Sequence, residues 1–191
     1  MIVATGSAPS LDIVGNLAQG IQDTPGLAQD NVMSVWDVLE DRRPIGHRVL
    51  VVDDGEGGWK GIGLALQLDA DGHDVEYVTP LPYAGAKLGP FSADLAVRRI
   101  HLSHIATHPF ASVTRIDGAT VTLSEQGHAN TVADVDTVIL AGWHRPVTDL
   151  YVALKGRGVT VERIGDAIAS RTMLEAIHEG ERAARRVTSN T

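Results

Sequence analysis

The chain has 191 residues, 43% of them hydrophobic, a formal net charge of -8 and no cysteine. That content allows one large or two small packed domains, and the acidic balance leaves no basic footprint for a nucleic-acid backbone. Without cysteine these residues hold no disulfide, CxxC redox pair, thiol nucleophile or cysteine-bound iron–sulfur cluster, and no apolar run nears the roughly 18 residues of a membrane helix.

The opening "MIVATGSAPSL" has no basic region ahead of its short apolar stretch, so no signal peptide is read and a cytoplasmic protein is expected. "IVATGS" (2–7) reads as a buried strand entering a glycine turn, with nothing before it to supply neighbouring strands, so the chain is expected to begin mid-domain. Residues 7–46, rich in Gly, Pro, Asp and Asn, read as connector around one short helix at "SVWDVLED", capped by Ser34. From Arg48 the pattern becomes strand "RVLVVD", a helix over about 57–71, the turn Asp71-Gly72 and strand "DVEYVT", a βαβ unit with parallel pairing. Residues 92–105 have a loosely helical period behind a Ser92 cap. "SVTRIDGATVTLSE" is a hairpin turning at Asp117-Gly118, and a third β segment near "NTVADV" completes a meander. "DTVILA" (136–141) suits a central parallel strand, with "GWHRP" after it as a loop. A last short strand in "GVTVERIGDA" and a helix over 170–186 finish the chain, with the final five residues expected to fray.

Several pieces together resemble the C-terminal half of the flavoenzymes typified by trimethylamine, dimethylamine and histamine dehydrogenases, and more distantly 2,4-dienoyl-CoA reductase. The matching pieces are "ATGS" (4–7), "RVLVVDD" (48–54), "GHDVEYVTP" (72–80), "TRIDGATVTL" (114–123), "DTVILAGWHRP" (136–146) and "ERIGDA" (162–167). The resemblance implies a Rossmann-like three-layer α/β fold with a parallel sheet and β-meander, beside the remainder of a second FAD/ADP-type nucleotide domain. It implies an NAD(P)-binding-like domain at 47–142 inserted between the two parts, 1–46 and 143–191, of that split domain. The Old Yellow Enzyme-like barrel carrying FMN and the iron–sulfur cluster would lie in a missing or partner portion.

A working dinucleotide loop lets backbone approach the pyrophosphate and meets its charge at a helix N-terminus. Here Gly55, Gly57, Gly58 and Gly61 offer an adapted loop, but Asp53, Asp54 and Glu56 crowd the entrance, and Lys60 offsets only part of that charge. At the end of the second strand, where an acidic residue takes the ribose hydroxyl or an arginine a 2′-phosphate, stand Val78, Thr79 and Pro80. Both departures point to a degenerate NAD(P) site. They fit the amine dehydrogenases, which pass electrons to an electron-transferring flavoprotein. In the split domain "RIGDA" resembles the segment whose Asp meets the ribityl or ribose part of FAD or ADP, making Gly165 and Asp166 candidates, with Thr5 and Gly6 second. The plainer alternative is a strand-to-helix turn with Asp166 favoured near a helix N-terminus.

"GGWKGIG" (57–63) and "YVALK" (151–155) match the loop and YxxxK pair of short-chain dehydrogenases, but stand too close in sequence, and Val138 falls where a helper serine belongs. His101, His104 and His108 share helical spacing, yet "THPF" ends the helix before the third and no carboxylate accompanies them in sequence, so no metal is assigned. No GxSxG elbow supports a hydrolase. The reading is a fragment or subunit of a flavin-dependent amine dehydrogenase-like oxidoreductase, with ADP or FAD docking or a structural role and no catalytic residue of its own. It would assemble with a flavin barrel portion, contact an electron-transferring flavoprotein and form oligomers. A self-sufficient NAD(P)-dependent reductase and a non-catalytic assembly module stay open.

Overall fold

A computed structural model describes residues 1–12, 24–40 and 42–189, the side chains of the last two excepted. In chain order the elements are β1 (Ile2–Val3), β2 (Ser7–Pro9), β3 (Val32–Ser34), α1 (Val35–Leu39), β4 (Arg48–Val52), α2 (Trp59–Ala70), β5 (Asp74–Val78), α3 (Pro90–Leu102) and β6 (Ala106–His108). There follow β7 (Ala111–Asp117), β8 (Thr120–Glu125), β9 (His128–Val132), β10 (Thr137–Leu140), β11 (His144–Pro146), α4 (Asp149–Gly156), β12 (Glu162–Arg163), a 3-10 turn (Gly165–Ala167) and α5 (Met173–Ser189). They form two compact units, Ser10–Trp143 and Met1–Pro9 with His144–Thr191.

In the first unit β3, β10, β4, β5 and β6 pair in that order, every pair parallel. Side chains alternate across a strand, so β4 sends Val49 and Val51 to a core shared with Ile62 and Leu68 of α2, and Leu50 and Val52 to one shared with Val113, Val121 and Leu123 of the meander. Helices thus cover one face and the meander covers the other. This is why "RVLVV" and "TVIL" are unbroken apolar runs. Each such side chain taken from water contributes about 1.5–3 kcal/mol. The meander turns where Asp117-Gly118 predicts, with Gly118 at φ +59°.

The second unit holds a two-stranded parallel sheet, β1 with β12, and an antiparallel pair, β2 with β11. Helix α5 closes on the 3-10 turn, where a side chain on Gly165 would meet Ala176 Cβ at 3.5 Å and the φ is +61°.

The α/β class, the meander and the place of each main strand follow the sequence reading, and Ser34 does cap α1, exchanging hydrogen bonds with Asp37 in a capping box. Other details differ. Helix α3 starts at Pro90 behind Gly89 rather than at Ser92, because proline lacks the N–H that a first helical turn leaves unpaired. "GWHRP" is not all loop: His144–Pro146 is a strand, bound to Ser7–Pro9. The connector reading of 7–46 misses β2 and β3, and β3 is one of the two edge strands of the five-stranded sheet, held by Val32↔Val138 register. Hence residues 24–40 belong to the sheet unit rather than to the split part expected over 1–46. Helix α5 continues to Ser189, past the expected fraying point, while connector residues 13–23 lie outside the described residues.

Candidate functional site

The glycine turn between β4 and α2 is braced by its own carboxylates. Asp53, 1% exposed, accepts hydrogen bonds from the Gly57 amide and the Thr79 hydroxyl, both at 3.0 Å. Thr79, in the place of a ribose-binding acid, is therefore a structural donor to Asp53. Glu56 folds back so that its Oε2 accepts from the Gly58 amide at 2.9 Å. Gly58 is the N-cap of α2, so a carboxylate of the same loop already stands where a phosphate would meet the helix start. Asp54 is buried, and its carbonyl accepts from the Trp143 indole.

Positive φ at Gly55 (+83°) and Gly57 (+68°) explains two of the glycines. Both are buried. Over Gly57 lies the segment after β5: a Cβ there would meet Leu81 Cδ1 at 2.5 Å and Lys87 Cγ at 3.1 Å. Lys87 Nζ donates to the Gly55 carbonyl at 2.5 Å and stands 5.1 Å from the centre of the Trp143 ring. Lys60 donates to the Gly142 carbonyl. Gly61 serves packing, since a Cβ would come within 3.1 Å of Tyr77 Oη and 3.3 Å of Ala141 Cβ. That Tyr77 phenol is fully buried, and burial, followed by the charge of Asp53, drives its pKa far up. Of the four sequence-predicted glycines, Gly55, Gly57 and Gly58 form the turn and Gly61 lies within α2; the polar groups of the turn are engaged by Asp53, Glu56 and Lys87, and Leu81 packs over it. The sequence pointed to three crowding carboxylates; two are turned inward, and Glu56 alone holds the amide that opens the helix.

In the second unit the other four candidates meet at the C-terminal ends of adjacent parallel strands, the edge at which α/β proteins bind ligands. Thr5 and Gly6 follow β1, and Gly165 and Asp166 follow β12. Asp166 Oδ2 accepts from Ser7 Oγ at 2.9 Å and Oδ1 from the Arg171 amide at 3.2 Å. Thr5 Oγ1 donates to the Val147 carbonyl at 2.5 Å, while Gly6, at φ +75°, has open space beside its α-carbon. The Gly165 amide donates to Glu179 at 2.6 Å. That bond, with the Arg171 guanidinium, holds the Glu179 carboxyl below its ordinary range. Ser7 Oγ also lies 3.4 Å from His144 Nδ1, but the aspartate bonds the serine rather than the histidine, which is the wrong order for a Ser-His-Asp nucleophile.

The remaining motifs disperse. Tyr151 and Lys155 share α4, but Lys155 Nζ lies 5.6 Å from the centre of the Tyr151 ring and Arg163 4.6 Å from it, so two cations sit over the ring face. The "GGWKGIG" loop belongs to the other compact unit. His101 is on α3, His104 lies beyond the helix beside Asp69, and His108 on β6 bonds Glu76 at 2.7 Å. Among the described residues no three His, Asp or Glu side chains are grouped as a metal site would need. Sequence reasoning missed the Glu76 network, in which Arg48 and His108 each reach one carboxylate oxygen at 2.7 Å from neighbouring strands. Its signal, Glu76 inside the apolar β5 with Arg48 opening β4 and His108 ending β6, is present but mute about which of them meet. No helix among the described residues is long and apolar enough to cross a membrane.

No family model matches the chain. A metal reductase of Desulforamulus reducens is 26% identical over an alignment of 215 residues, which takes in 94% of this chain and 29% of that protein. Among solved structures, the 6-hydroxypseudooxynicotine amine oxidase of Pseudomonas geniculata N1 superposes with a TM-score of 0.84 and 25% identity, over 95% of this chain and 28% of that one. Histamine dehydrogenase from Rhizobium sp. 4-9 gives 0.82 and 23%, over 96% of this chain and 30% of that one. The fold is thus a Rossmann-like, nucleotide-binding-like portion shared with oxidoreductases, and the chain spans less than a third of these relatives' length.

Proposed function

We propose that this chain is the nucleotide-binding-like portion or subunit of a flavin-dependent amine dehydrogenase-like oxidoreductase, with its NAD(P) loop closed and its second unit docking ADP or FAD. The observation that carries the reading is the spent glycine turn: Glu56 takes the Gly58 amide, Asp53 takes the Gly57 amide, and Leu81 covers the same backbone. A pyrophosphate would have to displace all three. NAD(P) therefore does not fit this turn as it is folded. ADP or FAD fits the β1/β12 edge better. A carboxylate has about four acceptor positions, and Asp166 uses two, which leaves capacity for ribose or ribityl hydroxyls, while Gly6 leaves room for close approach. A bound flavin would supply redox chemistry; what these residues contribute is hydrogen bonding and orientation.

In this reading substrate oxidation belongs to a flavin barrel, with FMN and an iron–sulfur cluster, on a partner or further portion. No residue here is assigned as catalyst. The likeness to an amine oxidase and a histamine dehydrogenase over a small part of each supports that division. An electron-transferring flavoprotein and further copies of the assembly are the expected partners. A purely structural assembly module is the second reading, favoured by the internal engagement of Asp166, Thr5 and Gly165. Calorimetric titration with ADP, FAD, NADH and NADPH, with intact mass analysis of the native protein, separates these. The docking reading expects ADP or FAD to bind and the reduced pyridine nucleotides not to. Silence of all four with a copurifying barrel favours the assembly module, and tight NADH binding overturns both.

A further inference from the structure

Bordering Thr79 at the end of β5, the sheet unit contains a cavity of about 430 Å³ between the last turns of α3, strand β6 and the loop that follows β5. Its size lies within the range of about 300–1,000 Å³ typical of small-molecule sites. The walls are fixed by backbone bonds: Thr79 N to His108 O at 3.1 Å, Phe110 N to Leu81 O at 3.1 Å and Leu88 N to Gly85 O at 2.9 Å. Gly85, at φ +85°, lets the loop over residues 80–89 press on Ile62 and Ala96, where a Cβ would meet Ile62 Cδ1 at 3.0 Å. A concavity held this way is formed before any ligand arrives.

Its chemistry narrows the ligand. Among the described residues no Lys, Arg, Asp or Glu lines the cavity, so a charged guest would lose hydration without a counter-charge from them. Pro82, Tyr83 and Pro109 provide flat apolar faces. Two polar lining groups are already spent: the Thr79 hydroxyl on Asp53, and the Ser103 hydroxyl on the Ile100 carbonyl at 2.7 Å. Tyr83, His101 and Thr107 also line the cavity, and these residues carry a phenol, an imidazole and a hydroxyl. We propose that this cavity is a binding site for an uncharged aromatic small molecule of one or two rings carrying a polar substituent, held between the proline and tyrosine faces and hydrogen-bonded by His101 and Thr107.

The test titrates the full chain with benzamide, indole and benzoate while following backbone amide resonances. Benzamide and indole are expected to give saturable shifts centred on Tyr83, His101, Ile105 and Thr107, with benzoate inert. Val97, 43% exposed on the α3 rim, accepts a larger side chain from the solvent side, so Val97→Trp should abolish the shifts while the rest of the spectrum stays in place. Thr107→Val, which keeps volume and removes one hydrogen bond, should weaken benzamide about fivefold. Benzoate binding as tightly as benzamide, shifts that persist in Val97→Trp, or no shifts at these residues would overturn the assignment.

Discussion

Replacing Glu56 with Gln removes one charge from the start of α2 while keeping an acceptor for the Gly58 amide. A pyrophosphate oxygen on that amide would lie about 4 Å from the displaced carboxylate. Two like charges at that distance repel by about 1 kcal/mol in bulk water and about 4 kcal/mol at the effective dielectric of a protein surface. At 1.4 kcal/mol per tenfold in affinity, Glu56→Gln should tighten NADH by between about fivefold and about 700-fold. NADH fluorescence titration reads the gain, and adenosine serves as the control, because it offers the same base and sugar with no phosphate to feel the charge. Thermal stability should change by less than about 1 kcal/mol, since the lost term is one charge at a helix terminus. An unchanged NADH affinity, or an equal gain for adenosine, would refute the view that this carboxylate closes the loop.

Gly61→Ala should cost about 1–3 kcal/mol in urea unfolding by forcing Tyr77 Oη and Ala141 apart from a new methyl. Tyr77→Phe alone should fall within about 1 kcal/mol of the parent, because the buried hydroxyl makes no hydrogen bond among the described residues, and it should relieve part of the Gly61→Ala cost in the double variant. Glu76 supplies a pH test. Burial alone would raise its pKa, but hydrogen bonds from Arg48 and His108 outweigh that and hold it below the ordinary glutamate range. A depressed carboxyl adds stability above its unfolded pKa and loses it as pH falls through the folded one. The difference in urea midpoint between parent and Glu76→Gln should therefore be full at pH 6–7 and shrink below about pH 4.5, and a difference that grows on acidification would contradict it.

What could be read from the sequence was what local order dictates. β4 and β10 are buried on both faces and so appear as unbroken apolar runs, the Asp117-Gly118 pair marks its hairpin, and Ser34 with Asp37 marks a helix start. Strands of three residues, such as β2, β3 and β11, are too short to show a period, and only their partners make them strands. The glycine turn divides the same way. That Gly55 and Gly57 need positive φ is local, and so are the bonds from the Gly57 and Gly58 amides to Asp53 and Glu56, whereas the groups that orient Asp53 and cover the turn, Thr79, Leu81 and Lys87, come from more than twenty residues downstream. Composition could count carboxylates there but could not tell Asp53, which braces, from Glu56, which blocks. Buried amides require partners. In a working cradle some of those partners are phosphate oxygens, so losing the ligand leaves donors unmet. Here Gly57 and Gly58 both donate to side chains within the same turn, so those two amides need no phosphate oxygen to satisfy them.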